Sequence, residues 1–250
     1  MESINGSKVL LSGGTGGIGS ALVEGFINAG AHVCIIARDQ SDAERKTKAY
    51  AHTKGNFSYV IADFLSDESC LRAVEMARNI LGKIDTLVLA HGNVIPSPAI
   101  EMTFDSWSKQ IQVNLTATFR LAQAVAPEMI SRRSGKIITF ASMLTFQGGL
   151  NASGYAASKG GVGQLTKALS NEWAPFGINV NSIAPGYIKT ELNKHIWNDP
   201  EREKAVLARL TSGRWGDPVD LVGPTLFLAS QAADYLHGVV LPVDGGWLSR

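Results

Sequence analysis

Cysteine is scarce in this chain. Two residues in 250, Cys34 and Cys70, give neither a disulfide framework nor a metal-ligand spacing, and they point to a reduced, intracellular setting. Excess charge is scarce as well. Lys and Arg number 23 against 22 Asp and Glu, a formal net charge of +1. With no basic cluster, nucleic acid and general polyanions are excluded as expected partners. No run approaches the roughly 18 apolar residues of a spanning helix, so no membrane partner is expected. The start, Met1-Glu2-Ser3-Ile4-Asn5-Gly6, lacks a basic segment followed by an apolar one, so no secretory signal is read and the expected location is cytoplasmic. No repeat or linker divides the chain. Residues 1–250, at 45% hydrophobic, read as one domain with one large core.

The most informative stretch is Lys8–Gly30. The apolar run Val9-Leu10-Leu11 suits a buried parallel strand. Ser12-Gly13-Gly14-Thr15-Gly16-Gly17-Ile18-Gly19 follows at once, and Ala21-Leu22-Val23 with Phe26-Ile27 forms one face of a helix ending near Gly30. Strand, glycine turn and helix together aim backbone N–H groups and a positive dipole end at a phosphate. Glycine there lets the chain turn tightly and a pyrophosphate approach the backbone.

Strands and helices then alternate. Further strands are read at His32–Ala37, Phe57–Ala62, Ile84–Ala90, Lys136–Phe140, Ile178–Ile183 and Val239–Val243. Helices are read at 41–54, from Asp67 as a cap to Gly82, from Thr103 or Asp105 to about Arg133, at Ala152–Trp173, and from Asp217-Pro218 to about Ser230. Pro127 predicts a kink or break in the third of these, and Pro224 an irregularity in the last. Residues 190–212 read as a mobile substrate lid. The pattern predicts a Rossmann-type, doubly wound α/β fold, a seven-stranded parallel sheet in a three-layer α/β/α sandwich. Ligands in such sheets bind outside the carboxyl ends of the strands, where Ser12–Gly19, Arg38, Asp63, Ala90–Gly92, Ser142 and Pro185–Gly186 converge.

Tyr155 and Lys159 lie four apart on a predicted helix and share one face. An ammonium beside a phenol favours the phenolate and moves its pKa toward the working range. Ser142, at a strand end, is placed to hydrogen-bond a substrate oxygen.

With Ser12-Gly13-x-x-x-Gly17-Ile18-Gly19, Asp63, Asn114-Leu115, Ser142, Tyr155-x-x-x-Lys159, Ala184-Pro185-Gly186 and Val243-Asp244-Gly245-Gly246, the chain resembles the short-chain dehydrogenase/reductases along its whole length. The resemblance implies that Tyr155 is the general acid in carbonyl reduction and the base in alcohol oxidation. Ser142 would polarise the substrate oxygen, Lys159 would lower the tyrosine pKa and hold the nicotinamide ribose, and Asn114 would support a proton path to Lys159. The implied cofactor set is Ser12, Gly13, Thr15, Gly17, Ile18, Gly19, Arg38, Asp63, Phe64, Ala90, His91, Gly92, Tyr155, Lys159, Pro185, Gly186, Ile188 and Thr190. No metal is implied. Asp63 would contact adenine, with helix capping as the alternative.

The second strand ends Ala37-Arg38, with no carboxylate to hold a ribose 2′-OH and a guanidinium that suits a 2′-phosphate. NADP(H) is therefore favoured over NAD(H). Asp39 either points away or offsets the arginine. The family's usual Asn-Asn-Ala-Gly turn is here Leu89-Ala90-His91-Gly92, where His91 reads as a structural substitute able to titrate near neutrality rather than as a catalytic group.

Substrate contacts are expected from Ser142, Leu144, Gln147, Asn151, Tyr155 and Tyr187, with Met143, Phe146, Leu192, His195 and Trp197 also expected to line the pocket. The C-terminal segments resemble the sugar-acid branch of the family, yet no arginine for a carboxylate stands among these residues. A ketone or secondary alcohol, sugar acid or other polar carbonyl, is the expected substrate. A 3-oxoacyl-thioester on acyl carrier protein and a polycyclic ketone stay open, and a dinucleotide-binding redox sensor is the non-enzyme alternative. The resemblance also implies a homotetramer or a dimer.

Overall fold

A computed structural model describes residues 4–53 and 56–250, the side chain of His195 excepted. Met1–Ser3 of the leader reading, Lys54 at the expected end of the second helix, and the His195 contact lie outside the described residues.

Seven strands, β1 (Lys8–Ser12), β2 (His32–Ala37), β3 (Phe57–Ile61), β4 (Thr86–Leu89), β5 (Gly135–Phe140), β6 (Ile178–Pro185) and β7 (Val240–Val243), form one sheet. The order is β3-β2-β1-β4-β5-β6-β7 and every pairing is parallel. The helices are α1 (Gly17–Asn28), α2 (Gln40–Ala49), α3 (Asp67–Leu81), α4 (Phe104–Ile111), α5 (Ala117–Arg132), α6 (Ser153–Trp173), α7 (Lys194–Trp197), α8 (Pro200–Arg209) and α9 (Val222–Ala229). This is the expected doubly wound α/β architecture.

The continuous apolar runs of the strands follow from burial on both faces. Leu10, Cys34, Ile36, Leu87 and Leu89 pack with α3 and α5 on one side. Val9, Leu11, Ile35, Val88 and Ile138 pack with α1 and α9 on the other. Both cysteines are free and buried, so each acts as a small apolar core residue.

Several local expectations change. Ser66, not Asp67, caps α3: its hydroxyl accepts from Ser69 N at 3.2 Å, while Asp67 at the first helical position pairs with Arg120. Thr103 rather than Asp105 caps α4. Pro127 does not break its helix. The proline removes one N–H, but Leu121, Ala122, Val125, Ala126 and Met129 stay buried along α5 and hold it. The irregularity lies upstream, where Gln112–Thr116 form a π turn and the Ala117 N–H reaches back five residues to Gln112 O. Asp217-Pro218 opens a 3-10 turn, Pro218–Leu221, before α9, and Pro224 sits within the first turn of α9.

Between β6 and α9 the chain makes a long excursion that leaves and returns at one place. Lys189 N donates to Gly216 O at 2.8 Å, and Gly216 N to Tyr187 O at 2.9 Å. The excursion carries α7 and α8. No described helix is long and apolar enough to cross a membrane.

Candidate active site

The strand order reverses between β1 and β4, which opens a crevice at the carboxyl ends of the sheet. Two turns meet there backbone to backbone. Gly13, at φ 77°, lies so close to the β4 turn that a Cβ would stand 2.9 Å from Ala90 C and O and from His91 Cα. At Gly19 a Cβ would overlap the Gly13 carbonyl, and at Gly92 it would come within 3.3 Å of Asn114 Oδ1 and 3.5 Å of Lys159 Nζ. The α1 N-terminus opens directly above this cradle. A bare backbone here fits a pyrophosphate approaching the helix end.

His91 occupies the place of the absent amide. Its Nδ1 lies 2.6 Å from Ser12 Oγ, its ring stacks on Phe64 at 4.2 Å, and Nε2 lies 3.5 Å from Thr118 Oγ1. Burial first, and then the Lys159 ammonium, push its pKa down to about 3. The ring is therefore neutral at physiological pH, which corrects the expectation of titration near neutrality. Buried Ser12, with a neutral imidazole beside it, braces the cradle rather than facing a ligand.

At the outer end of the crevice, Arg38 is exposed, and among the described residues no ion pair or hydrogen bond holds its guanidinium. Asp39 offsets it only weakly, through charge attraction without an ion pair. Its carboxylate caps α2, accepting from Ser41 N at 2.8 Å and Asp42 N at 3.2 Å; the Ser41 hydroxyl first, and then these backbone bonds, hold it below the usual carboxylate range. Asp63 does not cap α3; its Oδ1 accepts from Leu65 N at 2.9 Å and braces the turn after β3. Thr15, Gly17 and Ile18 lie at the mouth of the α1 turn, and a Cβ on Gly17 would sit 3.1 Å from the Thr190 methyl.

Ser142, Tyr155 and Lys159 line one cleft of about 630 Å³. Ser142 caps a 3-10 turn, Met143–Thr145, which Thr145 Oγ1 ties to α6 through Lys159 O at 2.8 Å. Lys159 is buried, donates from Nζ to Phe140 O at 2.6 Å, and stands 5.8 Å from the Tyr155 ring centroid. Burial pushes its pKa down to about 8. The Tyr155 phenol also differs from expectation: burial raises it above its ordinary value, and the hydrogen bond with Ser142 offsets part of the rise. The ammonium gives one of its three donors to the Phe140 carbonyl and keeps the others for the site.

Asn114 sits in the π turn and is fully buried. Its Oδ1 accepts from Asn93 N at 2.8 Å, and its Nδ2 donates to Asn93 O at 2.9 Å and Ser158 Oγ at 3.0 Å. The side chain thus pins the β4 turn to α6, one residue from Lys159. Ser158 went unread in the sequence because a serine on a small-residue helix carries no distinguishing signal.

Ala90, His91, Gly92, Pro185, Gly186, Ile188 and Thr190 share the cleft with Leu144, Asn151, Tyr187 and Leu192. Gln147 does not line it: its Oε1 accepts from Arg209 Nη2 at 3.0 Å. Trp197 joins an aromatic and aliphatic cluster beneath the excursion instead. That cluster holds Tyr187 edge-on against Trp215 at 5.2 Å and Trp247 at 4.8 Å. Sequence reasoning missed Trp247 and Arg202, both in the cleft wall. Among the described residues no cluster of His, Cys, Asp and Glu could hold a metal ion.

Comparison with known proteins agrees with this geometry. Residues 13–248 match the short-chain dehydrogenase/reductase family model described as Enoyl-(Acyl carrier protein) reductase. The chain is 44% identical to the 2-dehydro-3-deoxy-D-gluconate 5-dehydrogenase of Pseudoalteromonas atlantica, over 99% of this chain and 98% of that protein. It is 38% identical to the 5-keto-D-gluconate 5-reductase of Escherichia coli strain K12, over 98% and 97%. A crystal structure of a gluconate 5-dehydrogenase from Burkholderia cenocepacia in complex with NADP and tartrate superposes with a TM-score of 0.95 at 34% identity, covering 100% of this chain and 98% of that one.

Proposed function

The chain belongs to the short-chain dehydrogenase/reductase family, and on that premise we propose that it is an NADP(H)-dependent oxidoreductase acting on a ketone or secondary alcohol of a sugar acid. The observation that carries this reading is the meeting of Ser142, Tyr155 and Lys159 in one cleft, directly beside the glycine cradle. The exposed Arg38 guanidinium, with no ion pair or hydrogen bond among the described residues, supports a 2′-phosphate, and the relatives' names support a sugar acid.

When bound, the nicotinamide supplies or accepts the hydride. The protein does the rest. Ser142 and Tyr155 hydroxyls donate to the substrate carbonyl oxygen and polarise it. Burial keeps the phenol protonated at neutral pH, which suits a general acid. As hydride reaches the carbonyl carbon, the Tyr155 proton moves to the oxygen and the alcohol forms. The Lys159 ammonium, anchored on Phe140 O, then faces the phenolate and stabilises it until a proton returns. Asn114 keeps the β4 turn and α6 in register, so that Lys159 stays at its post. Oxidation runs the same steps backwards.

We further place the enzyme in the cytoplasm as a homotetramer. Ile100 and Phe104, 96% and 83% exposed beside α4, and the small residues of α6 support a subunit contact.

The test is NADPH consumption at 340 nm with 5-keto-D-gluconate, run beside NADH and an acetoacetyl thioester. Turnover with the keto acid and NADPH is expected, and Tyr155→Phe is expected to lower kcat by about 10²–10⁴-fold while NADPH still binds. Thioester turnover alone overturns the substrate reading. Full activity in the phenylalanine variant overturns the role of Tyr155.

A further inference from the structure

Among the described residues, the cleft wall contains no aspartate or glutamate. The described cations in it are Lys159 and Arg202. Lys159 is accounted for: it is buried, bonded to Phe140 O, and turned toward Tyr155. Arg202 is not. It comes from α8, across the cleft from the Tyr155 helix, and shares its face with Ala205 and Val206, the cleft-lining residues one turn on at i+3 and i+4.

The environment of Arg202 leaves its binding edge open. Asp199 caps α8, its Oδ1 accepting from Glu201 N at 3.1 Å and Arg202 N at 3.3 Å. The other carboxylate oxygen, Oδ2, stands 3.4 Å from Arg202 Nε. That contact holds the guanidinium through one of its donors. Among the described residues, neither terminal nitrogen has a hydrogen-bond or ion-pair partner. A guanidinium held through Nε presents a planar two-pronged donor, the shape that matches a carboxylate. The second arginine of the helix, Arg209, does different work. It lies 4.1 Å over the Trp247 ring and donates to Gln147, so it holds α8 to the body of the protein.

We infer that Arg202 is the specificity-determining residue that receives the substrate carboxylate, and that α8 thereby selects sugar acids over neutral sugars. The inference rests on the sugar-acid reading of the cleft and adds the residue responsible. It also supplies the arginine that the sequence did not reveal near the expected pocket residues.

Two matched pairs test it. D-gluconate and D-glucitol share a hydroxyl pattern and differ in the carboxylate; 5-keto-D-gluconate and L-sorbose differ in the same way. Binding of the first pair to the NADP⁺ complex is measured by calorimetry, and turnover of the second with NADPH at 340 nm. Wild type is expected to prefer the acid in both. In Arg202→Met, KM for 5-keto-D-gluconate and Kd for gluconate rise by about 10- to 100-fold, the range for hydrogen bonds to a charged group. kcat, KM for NADPH and the weak response to the neutral partners change less than about threefold. Arg202→Lys restores part of the preference. A preference for the acid that survives in Arg202→Met overturns the inference, as does a wild type with no preference. If gluconate binds through Arg202 but no sugar acid turns over, the functional reading fails and the role of Arg202 stands. If keto acid turnover is unchanged in Arg202→Met, the reverse holds.

Discussion

The two ends of the cleft are built differently. On the cofactor side, closure is made by backbone: the β1 and β4 turns touch through Gly13, Ala90 and His91 with no room for a Cβ. On the α8 side, closure is made by side chains, with Tyr187, Trp215 and Trp247 packed edge to face and Arg209 lying over Trp247. Backbone contact admits almost no variation, so it suits a ligand shared by many enzymes. Side-chain contact can be re-cut without moving the sheet, so it suits a ligand that differs from one enzyme to the next.

The contrast breaks first at Gly19. A methyl group there meets the Gly13 carbonyl, which has nowhere to go. Gly19→Ala is expected to weaken NADPH binding at least about 30-fold and to cost about 1–3 kcal/mol of stability. Gly223→Ala, at an exposed position where the new carbon meets nothing within 4 Å beyond its own chain neighbours, is the control and should leave NADPH binding unchanged. Fluorescence titration and thermal melting read both, and an undisturbed Gly19→Ala would show that the cradle is not rigid.

His91 sharpens the comparison through pH. Its folded pKa is about 3 against 6.5 for the free group, so the unfolded chain binds the proton first. Stability from this group is complete above about pH 6.5 and is lost as pH falls toward 3, by about 1.4 kcal/mol per unit. His91→Asn should remove roughly 3 kcal/mol of the wild-type loss between pH 7 and pH 4. Urea melts at the two pH values check it; parallel losses in both proteins would mean that the imidazole is not the acid-sensitive element.

The smallest effect belongs to the other wall. Arg209→Ala removes the contact with Trp247 and the bond to Gln147, each worth about 1 kcal/mol. KM for the carbonyl substrate should rise about threefold to tenfold with KM for NADPH unchanged. An equal rise in both would mean that the two ends are mechanically one.

What the sequence disclosed follows the same division. The Val9–Leu11 strand, the glycine turn, the strand ends and the spacing of Tyr155 and Lys159 are local patterns, and all seven strands were readable from them. Hidden features depend on partners distant in sequence. Gln147 looked like a pocket residue until Arg209, 62 positions on, took its amide. Arg202 carried no signal in the 190–212 lid because only the path of the 188–216 excursion turns its face to the cleft. A kink or break is expected at Pro127 because proline is a visible breaker, whereas the extra residue of the π turn leaves no mark in composition.

That π turn has a consequence for how the gene can change. One surplus residue in the stretch 112–116 rotates everything upstream by about 100° relative to α5. Losing a single in-frame codon there would mend the helix and swing Asn114 away from Asn93 and Ser158. Such a deletion would leave a regular helix but undo the join between the β4 turn and α6, so natural variants should tolerate substitutions around this loop of helix far more readily than a change in its length.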